Sequence, residues 1–347
     1  MGGERIGDVG EDGLIAGVLA RYGPNPPQVR IGPGDDAAVL DLSGPVVVST
    51  DTLVEGKDFR LDWSSARDVG VKTAAQNLAD VAAMGGRPVA LLVSLAVGPD
   101  VPTSWAHDLA EGLDDETRRA GAAVVGGDVA ESDRIVVTGT ALGVLPGPAV
   151  LRSGARPGDV VAISGRTGPS GAGWALLVRG AATVRGTAGG VGDGCGDGEG
   201  DDVLAALVGA HRAPRPDYPA GPAAAQVGAT AMIDTSDGLL RDVTRVARAS
   251  DVVIDLDVDA LAPGDDLRHA ARSLGDSDLA LAWVLTGGED HALVACFPPG
   301  VALPGAFRVV GRVLARGADD DAPVTVGGRA WAGPTGWQHF GRPSTSA

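Results

Sequence analysis

The chain is 347 residues long, 44% hydrophobic and 21% charged, with a formal net charge of −17. Those bounds fit an ordinary globular protein of two domains or one large one, and the acidity argues against nucleic acid as a partner. No apolar run approaches the ~18 residues of a membrane helix and no signal-peptide pattern opens the chain, so a cytoplasmic protein with no membrane partner is expected.

The pattern predicts a short amphipathic helix over Leu14–Arg21, then a strand–turn–strand element over Val29–Leu40 around Gly34-Asp35-Asp36. The Asp pair is open to two readings, a turn held by local hydrogen bonds or a ligand. Three valines at 46–48 run into Ser49-Thr50-Asp51, so a strand delivers two hydroxyls and a carboxylate to its end. A helix follows over Arg67–Met84, with Val71, Ala74, Ala75, Leu78, Val81 and Ala82 at helical spacing and Gly85 as its stop. Thr73, Asn77 and Asp80 fall on another stripe of it, either a solvated face or a face toward a polar site. Next come a strand over Val89–Val97, a helix over Thr103–Ala120 and a short strand over Ala122–Val125 ending in Gly126-Gly127-Asp128. After a strand over Arg134–Val144, the Pro-Gly-Pro run at 146–148 is the best domain boundary, giving domains 1–147 and 148–347.

The second half opens with Arg152-Ser153-Gly154 and a strand over Val160–Ser164. The glycine-rich stretch 165–173 that follows suits either tight chain reversal or a phosphate cradle, without the ending of a Walker A loop. Residues 181–202 read as a flexible Gly/Asp-rich insertion that includes Cys195. Helices are expected over Val203–Gly209 and near Pro222–Val227. A strand over Ala229–Ile233 then enters Asp234-Thr235-Ser236-Asp237-Gly238, ahead of a helix over Leu239–Ala249. An alternating strand over Val252–Val258, a helix over Leu279–Leu285 ending at Thr286-Gly287-Gly288-Glu289-Asp290, and strands over His291–Phe297 and Phe307–Val313 complete the pattern, before a tail with Trp337-Gln338-His339-Phe340.

Short strands that end in carboxylates suit hard divalent cations and, through them, phosphate. A carboxylate cluster without metal would repel itself and push its own pKa values up. No Ser-His-Asp or Cys-His set stands out among five His and two Cys. Those two cysteines fit neither a disulfide framework nor zinc spacing.

Seven motifs carry a resemblance: GDDAAVL at 34–40, STDTLVEG at 49–56, NLADVAAMG at 77–85, GGDV at 126–129, RSGARPGD at 152–159, DTSDGL at 234–239 and TGGED at 286–290. In this order they resemble the thiamine-monophosphate kinases of the PurM-like ATP-binding superfamily, over nearly all of the chain except 181–202 and the extreme termini. The resemblance implies an α/β (α+β) two-domain fold, an N-terminal mixed sheet that pairs across a homodimer plus a C-terminal α/β domain. It implies transfer of phosphate from ATP to thiamine monophosphate, with several Mg²⁺ ions per site. Its magnesium ligands would be Asp36, Ser49, Thr50, Asp51, Asp80, Asp128, Asp234 and Asp237. Gly127, Arg152 and Ser236 would contact the nucleotide, and Asp58, Glu289 and Trp337 the substrate. The acceptor is an anionic phosphate oxygen, so no general base is expected.

Where that family commonly has a His before the Phe that follows the STD-x-L-V-x-G run, this chain has Asp58, with Lys57 ahead of it. An ionised carboxylate can accept but not donate a hydrogen bond. Among superfamily alternatives, a selenophosphate synthetase expects a reactive Cys near the N-terminus and a hydrogenase-maturation protein expects a C-terminal Cys, neither of which is seen. A purine-pathway synthetase has no evident need of Glu289 or Trp337, and a non-catalytic binding dimer has no use for so many clustered acids.

Overall fold

The computed structural model describes residues 4–180, 198–317 and 322–338. Most of the 181–202 insertion, and with it Cys195, lies outside them, as do His339 and Phe340. Helix α1 (Ile6–Leu19) starts well before the expected Leu14 and is broken at Gly10, whose φ is 66°. Its glycines dilute the apolar spacing that would have shown the first turns. The hairpin β1 (Val29–Ile31) and β2 (Val39–Leu40) carries Asp35 and Asp36 in its exposed turn.

The first large layer consists of β3 (Val46–Val54), α2 (Ala66–Ala83), β4 (Arg87–Val97), α3 (Thr103–Arg119), β5 (Ala123–Glu131) and β6 (Val136–Val144). Its strands lie in the order β3-β6-β4-β5, with only β4 and β5 parallel. Helix α2 starts at a Ser65–Asp68 capping box, and α2 and α3 cover one face of the sheet. On the other face Val46, Val48, Thr50 and Thr52 of β3 stay exposed. There Thr50 and Thr52 meet Thr140 and Thr138 at 3.0 and 2.9 Å.

Strand β5 is longer than the sequence suggested. Gly126-Gly127-Asp128 sits inside it, paired to β4, rather than in a turn beyond it. Gly127 is required there, since a Cβ would lie 1.9 Å from the Val93 carbonyl oxygen.

The second layer runs β7 (Val160–Ser164), α4 (Pro169–Val178), α5 (Gly198–Arg212), α6 (Ala220–Gln226), β8 (Ala231–Asp234), α7 (Leu239–Ser250), β9 (Val252–Leu256), α8 (Asp265–Ser273), α9 (Leu279–Thr286), β10 (Leu293–Phe297), β11 (Phe307–Ala315), β12 (Val324–Val326) and β13 (Arg329–Ala330). These strands form one sheet in the order β13-β12-β9-β11-β7-β10-β8. Strand β9 is buried throughout instead of alternating; its Asp255 carboxylate is satisfied by the Thr325 hydroxyl at 2.8 Å and the Gly328 amide at 2.7 Å.

Each half has its own main apolar core, and a large side chain of the other half packs into or against it. Tyr218 is 2% exposed within the N-terminal core, and Trp63 packs against the C-terminal one. The Tyr218 hydroxyl donates to Glu116 at 2.6 Å, so a wholly buried carboxylate ties the halves together.

Candidate active site

Strand alternation decides what β3 delivers to the site. Ser49 and Asp51 point to the helix-covered face, while Thr50 points the other way and donates to the Gly139 carbonyl at 2.7 Å. On the covered face, the Ser49 hydroxyl donates to Asp80 of α2 at 2.5 Å. The free edge of β3 is capped by α2 as well, since the Asp51 N–H donates to the Asn77 side-chain oxygen at 3.0 Å. Asn77 reaches that far because residue 139 is glycine; a Cβ there would stand 2.4 Å from the Asn77 amide nitrogen. The polar stripe on α2 is therefore buried and site-facing, with Thr73 and Asn77 fully covered.

From the other half, the Asp234-Thr235-Ser236-Asp237 and Gly287-Gly288-Glu289-Asp290-His291 segments lie side by side. Glu289 and His291 amides donate to the Ser236 and Thr235 carbonyls at 2.8 and 3.1 Å. This bonding holds Glu289 and His291 at φ of 67° and 49°, a region that side chains other than glycine rarely adopt. The His291 Nδ1 lies 3.1 Å from an Asp234 oxygen.

Electrostatics joins the two groups. Burial pushes the Asp80 carboxyl up to about 7, and the charges of Asp234 and Asp51 add to this against the Ser49 hydrogen bond. Asp51 is raised for the same reasons, first burial and then Asp234, against the pull of His291. Burial disfavours the His291 cation, yet Asp234, Glu289 and Asp80 together lift it to about 9. Its buried Nε2 has no hydrogen-bond partner among the described residues.

Glu289 meets a cation from the opposite half. The Lys72 ammonium of α2 is 2.8 Å from its Oε2. Burial opposes ionisation of Glu289, but Lys72, with His291, holds its carboxyl down at about 2. Beside them His211 hydrogen-bonds Ser170 at 3.0 Å, and burial, aided by Lys72 and Arg212, pushes it down to about 3, so its ring is neutral.

The structure thus brings together Ser49, Asp51, Asp80, Asp234 and Glu289. Asp237, Ser236 and Trp337 form an adjoining group, with the Trp337 amide on the Asp237 carbonyl at 2.9 Å. The Asp237 carboxylate is held by Arg241 at 3.3 Å and by Arg245. Asp58 accepts from the Val54 amide at 2.9 Å, closing the turn after β3. Asp36 is exposed on its hairpin turn, bonded through its amide to Asp35. Asp128 is in register with Ser94, and Ser94 with Thr138, which places it on the threonine-bearing face with Thr50. Arg152 is exposed in a short turn whose carbonyl receives the Ser250 hydroxyl.

In the glycine-rich loop before α4, two amides are already taken within the protein. The Asp290 carboxylate already accepts from the Gly168 and Ser170 N–H groups at 2.6 and 2.8 Å, as a chain-reversal element would require. Sequence reasoning missed Lys72, His211 and His291. For Lys72 the available signal was its place one residue before the Thr73-Asn77-Asp80 stripe, on a helix rich in small apolar residues.

Among the described residues no three His, Cys, Asp or Glu side chains stand close enough to hold a metal ion by themselves. The donors are nevertheless hydroxyl and carboxylate oxygens in pairs, and magnesium commonly takes one or two carboxylates and completes its shell with water and phosphate. The donor chemistry fits that ion.

Acids that converge between two α/β layers define a class of proteins, and the sequence matches it. Residues 34–145 match the family described as AIR synthase related protein, N-terminal domain, and the fold is PurM-like. The chain is 46% identical over 328 residues to a thiamine-monophosphate kinase of Mycobacterium tuberculosis, covering 94% of this chain and 90% of that protein. A thiamine-monophosphate kinase of Corynebacterium glutamicum is 37% identical over 343 residues, covering 97% and 96%. The structure of AaThiL complexed with AMPPCP and TMP superimposes with a TM-score of 0.74 at 28% identity, covering 97% of this chain and 99% of that one. The chain belongs to the thiamine-monophosphate kinase family, and it is an enzyme of the phosphotransferase class with a phosphate group as acceptor.

Proposed function

We propose that the protein transfers the γ-phosphoryl group of ATP to thiamine monophosphate, forming thiamine diphosphate and ADP in the cytoplasm. The observation that carries this reading is the convergence of Ser49, Asp51 and Asp80 from one half on Asp234 from the other, where burial and mutual repulsion leave carboxylates short of positive charge. A phosphate-acceptor oxygen attacks the γ-phosphorus and the bond to the β-phosphate oxygen breaks, leaving ADP. A phosphate monoester loses its second proton near pH 6, so the acceptor is anionic at neutral pH and needs no base.

Magnesium, when bound, would neutralise the triphosphate and the charge that develops during transfer. Ser49, Asp51, Asp80 and Asp234 would hold it from the cleft, with Asp237 beside them once its arginines let go. Asp36, Thr50 and Asp128 stay in the proposed set as ligands approached from the hairpin and the threonine-bearing face. Gly127, Arg152 and Ser236 are proposed for the nucleotide. Glu289 offers its outer oxygen, and Trp337 its half-exposed ring, to a cationic thiazolium and a flat pyrimidine. Asp58, committed to the Val54 amide, would shape that pocket rather than reproduce a histidine donor.

We further propose division into domains at 147/148, and a homodimer in which the N-terminal sheet pairs with its twin.

With magnesium and ATP, the purified protein should convert thiamine monophosphate but not free thiamine. Absence of turnover across a range of magnesium concentrations would overturn the reading.

A further inference from the structure

Lys72 lies in the middle of α2, a helix buried on nearly every side, and is itself 3% exposed. A buried ammonium is unfavourable unless charges and acceptors surround it. Two loops supply them, one from each half of the molecule. The Asp58 carbonyl accepts from Nζ at 3.4 Å, and Glu289 Oε2 stands 2.8 Å away. Other charged or titratable groups also face this pair: the His291 cation and the Asp51 carboxylate interact with Glu289, and His211, at the end of α5 beside Arg212, is neutral.

Glu289 Oε2 is therefore held by an ion pair, and part of the side chain is left open. Oε2 is buried against Lys72, while the side chain as a whole remains 35% exposed. Its backbone is fixed at φ 67° by the bond to Ser236, so the side-chain direction is the remaining freedom, and Lys72 removes it. A polar group that orients a binding carboxylate in this way commonly matters nearly as much as the carboxylate itself.

We propose that Lys72 is a positioning residue for the phosphate acceptor: it locks the Glu289 carboxylate and the Asp58 turn to each other across the two halves, so that Glu289 presents one oxygen to the incoming cationic ring. The proposal rests on the reading of Glu289 as an acceptor-substrate contact. It makes Lys72 act through Glu289 and not on the nucleotide.

The experiment compares wild type, Lys72→Met, Lys72→Arg, Glu289→Gln and the Met/Gln double variant, with thiamine monophosphate and ATP varied separately. Lys72→Met keeps the apolar stem and should raise KM for thiamine monophosphate about tenfold or more, with KM for ATP within about twofold of wild type. Lys72→Arg should recover part of that loss. The double variant should be no worse than the weaker single variant, since both changes break the same unit. The unchanged KM for ATP also reports that the variants are folded. Equal losses for both substrates, additive losses, or a Lys72→Met enzyme like wild type would each overturn the proposal. A wild-type protein that does not turn over thiamine monophosphate would overturn the kinase reading, and this proposal with it.

Discussion

In the N-terminal half, the acids Asp51 and Asp80 have a hydroxyl and each other at hand, and the His291 cation reaches them only across the site, together with the like charge of Asp234. In the C-terminal half, Asp234, Asp237 and Glu289 each meet a side-chain cation: His291, the Arg241–Arg245 pair, and Lys72 reaching in from α2. The first arrangement stores repulsion, and an external cation can relieve it. The second is already neutralised, so its acids gain a ligand only by sharing or exchanging a partner. Two residues show that compensation, rather than position in the chain, makes the distinction. Glu116 is in the N-terminal half, fully buried and paired with Arg119 and Tyr218, and serves the interface between halves. Asp290 is in the C-terminal half and relies on two backbone amides.

The largest effect is expected where repulsion is stored. Asp51→Asn should lower turnover about 10³-fold or more, a loss of transition-state charge stabilisation that steady-state assay reads directly. In chelator the same change should raise the thermal midpoint, because one member of a like-charge pair has gone. Activity lost with stability gained separates a ligand from a structural acid. Wild-type turnover in Asp51→Asn would remove it from the site.

Asp290 tests the exception in the C-terminal half. Burial, against its two amide bonds, pushes its carboxyl from the ordinary 3.8 up to about 7. Between those values the folded chain holds a proton that the unfolded chain has lost, so this group's contribution to stability falls as pH rises from about 4 to about 7. The slope from a single group is at most ~1.4 kcal/mol per pH unit. Asp80 and Asp242, also lifted to about 7 by burial, add in the same direction. Asp290→Asn should flatten the pH dependence of the urea midpoint in chelator over that window. An unchanged slope would mean that Asp290 titrates normally.

Much of this was legible from local pattern. The 3.6-residue spacing of α2 and the strand ending in Ser49-Thr50-Asp51 follow from periodicity and β-branching, and both are present. Period-two alternation also implied that Thr50 faces away from Ser49 and Asp51, although a motif read as a unit hides it. Helix α8 escaped because its nine residues bury only Leu267, Ala270 and Ala271, too few to set a period. Lys72, His211 and His291 could not be assigned from spacing, because their partners lie far off in sequence: Ser170 is 41 residues from His211, Asp234 is 57 from His291, and Glu289 is in the opposite half from Lys72. The role of Lys72 exists only once the halves pack. Helix α2 reads as amphipathic in isolation, but α3, the sheet and the second half bury its polar side as well.

The N-terminal exception, Glu116, should respond in stability and not in catalysis. Tyr218→Phe removes the 2.6 Å bond to a buried carboxylate while keeping the ring beneath Arg119. Chemical denaturation should show a loss of about 1–3 kcal/mol, with both substrate KM values unchanged. A shift in either KM would show that the interface also shapes the cleft.

The smallest effect concerns how readily a compensated acid exchanges its partner. Arg241 holds Asp237 at 3.3 Å, the longer of its two arginine contacts, and is itself partly exposed. If Asp237 must leave these arginines to join a magnesium shell, their grip sets part of the magnesium requirement. Arg241→Gln leaves Arg245 in place and keeps Asp237 from standing uncompensated. It should lower the magnesium concentration for half-maximal rate by about twofold to fivefold, the size of a weak, partly solvated ion pair. An unchanged requirement would place Asp237 outside the metal set and leave it, like Glu116, as an acid whose charge is answered within the protein.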